Sequence, residues 1–69
     1  MIEIGQVCPF YKIPIGTIID YGFFKVKPCE KISKDTIKQL SNDKLFKIQL
    51  THTTYQIIKP PAVVINPNS

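Results

Sequence analysis

Sixty-nine residues, 43% hydrophobic and 20% charged, make one domain at most, too apolar to stay disordered and too short to bury a large share of its surface. Nine lysines against five acids give a formal charge of +4 and a pI near 9.2, which favours anionic partners without naming one. No apolar run approaches the roughly 18 residues of a membrane span, and the opening MIEIGQVC lacks the basic end and long apolar stretch of a secretory signal. A soluble, cytoplasmic protein with no membrane partner is expected.

Along the chain, six prolines cut the sequence into strand-sized pieces, because each lacks the N–H that a central strand position must donate. IEIGQVC alternates through Ile2, Ile4 and Val7 and reads as a first strand or edge segment. FYKI is a short link. IGTII and FFKVK then read as a hairpin: with Tyr21-Gly22 as a two-residue loop, Ile19 falls opposite Phe24 and Thr17 opposite Val26. These four share an inner face, leaving Ile18, Asp20, Phe23, Lys25 and Lys27 on the other.

The only helical pattern lies in KISKDTIKQLSND, where Ser33 suits a cap, Asp35 the positive end of the dipole, and Ile32 a staple against Ile37. The spacing predicts a helix of two turns over about residues 33–40. Such a helix is too short to stand alone and must lie on a sheet. KLFKIQL alternates Phe46, Ile48 and Leu50 against Lys47 and Gln49, and YQII follows as another strand after THTT, which suits a turn or a continued edge. The last apolar run, Ala62, Val63, Val64 and Ile65, does not alternate, so both its faces should be covered, most simply by a second copy of the chain. Residues 67–69 are expected to fray.

For chemistry the sequence offers little. Cys8 or Cys29 could meet His52 as a nucleophile and base, yet a chain of this size has scant room for a substrate pocket beside a core. No catalytic residue is assigned. Three Cys or His side chains without paired spacing make no zinc module, and Gly5, Gly16 and Gly22 stand singly rather than in a phosphate loop. No metal or cofactor is expected. The two cysteines could close a loop worth about 3 kcal/mol, but in a reducing compartment they are small buried hydrophobes.

The basic surface remains. Phe23, Lys25 and Lys27 on the outer hairpin face, with Lys47 nearby, have the composition of a single-strand nucleic-acid platform, where bases stack and phosphates meet charge. A lysine face that meets only water has the same composition. The chain contains no arginine, so the forked contact that reads guanine is missing.

At IPIGTIIDYGFFKVK the chain resembles small phage and mobile-element proteins, through Pro14, Gly16, Gly22 and Lys25 or Lys27. That resemblance covers about fifteen residues and implies an SH3-like barrel and a phage or prophage origin, with no activity attached. The short helix and the Pro60-Pro61 pair depart from the pattern.

The expected fold is therefore mainly β: a small antiparallel SH3-like or Sm-like barrel of about five strands with one short helix, residues 1–69 forming one unit. Its expected core is Ile15, Ile19, Phe24, Val26, Ile37, Leu40, Phe46, Ile48, Leu50, Ile57, Val63 and Ile65, and alanine at Phe24 or Ile48 should cost about 2 to 5 kcal/mol. The expected role is a non-enzymatic interaction module that self-associates through Ala62, Val63, Val64 and Ile65. The alternatives are a single-stranded nucleic-acid binder using Phe23, Lys25, Lys27 and Lys47, and a small inhibitor of a host protein.

Overall fold

β-Branched residues set the framework, since isoleucine and threonine pack well on a pleated surface. The computed structural model describes residues 2–61. Six strands lie in it: β1 (Val7–Pro9), β2 (Ile18–Asp20), β3 (Pro28–Lys31), β4 (Thr36–Gln39), β5 (Leu45–Lys47) and β6 (Thr54–Lys59), with a 3-10 turn at Phe10–Lys12. They form one sheet in the order β1-β6-β2-β3-β4-β5, and every pairing is antiparallel. β2 to β5 run as a meander, and β6 returns to lie beside β2.

The hairpin differs from expectation in its register. β2 pairs with Pro28–Lys31, not with residues 23–27: Ile19 faces Cys29 and Asp20 faces Pro28. The connection is thus seven residues long, and Phe24 and Val26 leave the core for water, 93% and 67% exposed. The physical reason is Asp20. Its Oδ1 accepts the backbone N–H of Gly22 at 2.9 Å and of Lys27 at 3.2 Å, while Tyr21 N–H donates to the Lys27 carbonyl. A carboxylate that binds both legs of the loop replaces a tight turn. Proline at the first position of β3 needs no ladder donor there, and Pro9 ends an edge strand.

The expected helix is absent. Ser33, Lys34 and Asp35 form the turn between β3 and β4, where Ile32 N–H donates to the Thr36 carbonyl at 3.0 Å. Asp35 Oδ1 there accepts the hydroxyls of Ser33 and Thr36. Residues that resemble a helix cap serve equally well in a turn, because the same short oxygen atoms satisfy turn N–H and O–H groups. A two-turn helix has little stability of its own, whereas β4 gains two pairing partners, with Ile37 facing Lys31 on β3 and Phe46 on β5.

Tight bends fall where the backbone demands glycine. The Pro14–Thr17 bend closes with a 3.2 Å bond from Thr17 N–H to the Pro14 carbonyl, and Gly16 within it has φ +97, a conformation that side chains rarely adopt. A register shift between Ile18 and Ile19 against β6 marks a bulge, which bends and twists the sheet. The bend is large. Tyr21, just beyond β2, stacks on Phe46 of β5 with centroids 6.0 Å apart, although three strand steps on a flat sheet would separate them by about 14 Å.

Inside this curl lie Cys8, Phe10, Ile13, Ile19, Cys29, Ile37, Ile48 and Ile57, with Ile2, Phe46 and Tyr55 packed against them. Of the expected core, Ile19, Ile37, Ile48 and Ile57 are buried and Phe46 is half-buried; Ile15, Leu40 and Leu50, like Phe24 and Val26, are exposed. Leu50 points outward because the chain turns there, Thr53 N–H donating to its carbonyl. Val63 and Ile65, the run Ala62 to Ile65 and the 67–69 tail lie outside the described residues.

Candidate functional site

Two surface features carry chemistry, and Tyr21 joins them. The first is loop 21–27, Tyr-Gly-Phe-Phe-Lys-Val-Lys. Its base is closed by the Asp20 carboxylate and the Tyr21–Lys27 backbone bond. Gly22 is required, since a Cβ there would collide with the Lys25 carbonyl. On this fixed base Phe23 and Phe24 stand 93% exposed, packed edge to face on each other at 5.1 Å. Lys25 and Lys27 flank the same small depression. The loop carries no acid, and its only polar side-chain groups are two ammonium groups and the Tyr21 hydroxyl.

The second is an aromatic row. Tyr21 stacks on Phe46 and, at 5.9 Å, on Tyr55, which meets the buried Phe10 edge on. Burial pushes the Tyr55 hydroxyl up, and the neighbouring Tyr21 adds to the effect. Tyr21, Tyr55, Lys47, Gln49 and Thr53 border an open depression. Lys47 Nζ lies 3.9 Å from Asp35 Oδ2. The Asp35 carboxyl is held low first by the Thr36 hydroxyl and then, against some burial, by Lys47. With Lys47 78% exposed, that pairing adds little stability and leaves the ammonium free to meet an anion.

The residues singled out from sequence are thus only partly united. Phe23, Lys25 and Lys27 share the loop, whereas Lys47 belongs to the other depression and reaches the loop only through Tyr21. Phe24 lies outside, not on the inner face that a two-residue turn would give it. The row of Tyr21, Phe46 and Tyr55 escaped sequence reading because its members come from two strands and a loop that only the curl of the sheet brings together.

The remaining chemical groups sit apart. Cys8 and Cys29 are free and buried, and burial pushes the Cys29 thiol up, opposed more weakly by Lys27; a nucleophile needs the opposite shift. His52 is exposed in the turn before β6. Among the described residues no three His, Cys, Asp or Glu side chains gather as a metal site would require. No described helix is long and apolar enough to cross a membrane.

Lys31 is the unusual charge. It is 3% exposed, its ammonium donates to the Phe10 carbonyl at 2.8 Å and lies 4.4 Å from the centre of the Phe10 ring. Among the described residues no carboxylate pairs with it, and burial lowers its pKa. The carbonyl and the ring face together compensate part of the lost hydration.

Comparison with protein-family models, curated proteins and solved structures gives no match.

Proposed function

We propose that this chain is a non-enzymatic interaction module, built as a small SH3-like barrel, that docks on its partner through loop 21–27. The barrel reading is supported by the meander of β2 to β5, the return of β6 beside β2, and the curl that stacks Tyr21 on Phe46. The buried thiols and exposed His52 favour a role without covalent chemistry.

One observation carries the docking role: two adjacent phenylalanines held in water on a loop whose base is hydrogen-bonded shut. Exposed apolar side chains occur singly on most surfaces, but a pair at a loop tip with a third, Val26, beside it forms a patch of the kind that marks an interaction site. Placing the patch on a closed loop lowers the ordering cost of binding. A phage or prophage origin, suggested by the resemblance at residues 13–27, fits a small module that acts by occupying a site on another molecule, such as a host protein.

A second reading has its own observation. The Tyr21, Phe46 and Tyr55 row with Lys47 beside it resembles a surface on which single-stranded nucleic acid stacks. Against it, Tyr21 already stacks on both Phe46 and Tyr55, which leaves less free ring face for bases. Self-association through Ala62, Val63, Val64 and Ile65 rests on sequence pattern alone.

Photo-crosslinking separates these. With a benzophenone amino acid in place of Phe24, and in a second sample in place of Tyr11, exposed elsewhere, irradiation in expressing cells should give adducts at position 24 that position 11 does not. Equal or absent adducts at position 24 would overturn the docking role.

A further inference from the structure

We propose that the surface met by loop 21–27 is an anionic membrane, the two phenylalanines entering the headgroup boundary and Lys25 and Lys27 resting on lipid phosphates; this rests on the loop being the docking element. The expectation of no membrane partner came from the lack of a spanning run, and surface contact needs no span.

Four features favour this occupant. The loop exposes Phe23, Phe24 and Val26 together, three apolar side chains that a fluid apolar medium accepts without a shaped pocket. The rings pack edge to face at an interplanar angle of 80°, a wedge rather than the parallel slot that would hold a flat base. Apart from Tyr21, engaged in the aromatic row, the loop has no neutral hydrogen-bonding side chain with which to recognise a protein or base edge. Its charges are two lysines and no acid, on a chain of formal charge +4; lysine is a compact point charge, suited to diffuse attraction by a negative lipid surface.

The shape of the loop supplies the rest. Among the described residues neither Lys25 nor Lys27 forms an ion pair; Asp20 instead accepts backbone N–H groups, so it fixes the base without neutralising either ammonium. The apolar tip and the cations are therefore presented together, before any partner arrives. Neither element alone should hold: two rings without charge, or two charges without rings, give a weak and short-lived contact.

The test is flotation of the full chain with phosphatidylcholine vesicles containing about a third phosphatidylglycerol, beside pure phosphatidylcholine vesicles, at about 0.1 M salt. The chain should float with the anionic vesicles only. F23S/F24S and K25E/K27E, both at exposed positions and expected to melt as the parent does, should each lower partitioning about tenfold or more. Absence of flotation, equal flotation with neutral vesicles, or flotation untouched by either double substitution overturns the inference. Retention of a single-stranded oligothymidine that displaces the vesicles and is lost in K25E/K27E overturns it as well. If the vesicles fail while position 24 still crosslinks to a protein, the membrane falls and the docking loop stands; if neither gives a signal, both fall.

Discussion

The interior around Phe10 and the loop 21–27 use the same two residue types in opposite ways. Phe10 is fully buried and roofs the ammonium of Lys31, itself withdrawn from water; Phe23 and Phe24 stand in water with Lys25 and Lys27 beside them. In the interior, lysine serves phenylalanine as a long apolar stem ending on a carbonyl. In the loop, phenylalanine and lysine face outward together and neither satisfies the other. Residue type thus decides little by itself. What separates the two regions is backbone: the 3-10 turn at Phe10–Lys12 folds its ring inward, and the Asp20 carboxylate holds seven residues out of the sheet.

That contrast is broken most severely at Phe10. Phe10→Ala removes a fully buried ring, the T-shaped contact with Tyr55 and the cover over Lys31; it should cost about 3 to 5 kcal/mol, enough to leave a chain of this size largely unfolded in a denaturant titration. Next comes the loop base. Asp20→Ala strips the acceptor from two backbone N–H groups, for about 1 to 2 kcal/mol, and the amides of Gly22 and Lys27 should then exchange with solvent faster while those of β6 do not.

Lys31 sharpens the comparison through pH. Its pKa in the folded chain lies below the ordinary 10.5, so between those two values the unfolded chain holds the extra proton. Raising the pH through that window therefore favours folding, and the penalty of the buried charge is full below it. Lys31→Met keeps the apolar stem, and the Phe10 carbonyl retains the N–H of Ile13. The variant should be at least as stable as the parent at pH 7 and should lose that alkaline gain, as thermal melts at several pH values would reveal. A variant markedly less stable than the parent at pH 7 would mean that the ammonium contributes net stability.

At the small end, Phe24→Ala should change stability by less than about 0.5 kcal/mol, against the 2 to 5 kcal/mol that a core position implies. The two values differ enough for one urea titration to decide.

Sequence reading reached the β class and the burial of Ile19, Ile48 and Ile57, because strand patterning against polar neighbours signals an inner face directly; it expected Ile37 inside as well, but on a helix. It misread residues 33–40, where turn and cap share the same residues, and it shortened the hairpin loop because Tyr21-Gly22 satisfies a two-residue turn locally. The seven-residue loop depends on Asp20 reaching Lys27, a contact that no local pattern contains. Burial of Cys8 and Cys29 was expected from their chemistry, but Phe10 and Ile13 lie in FYKI, which has no period to read, and a buried Lys31 runs against the usual placement of lysine. The candidate site was half legible: Phe23, Lys25 and Lys27 were named for composition and prove to share a loop, while their link to Tyr21, Phe46 and Tyr55 came only with the curl of the sheet.

The most direct test of the outward loop uses the absence of tryptophan from the chain. Phe24→Trp places a single indole at the tip, and its fluorescence with added iodide reports that position alone. The emission should be that of an indole in water, quenched by iodide as strongly as a free tryptophan amide. A blue-shifted emission shielded from iodide would put residue 24 inside the fold and contradict the account.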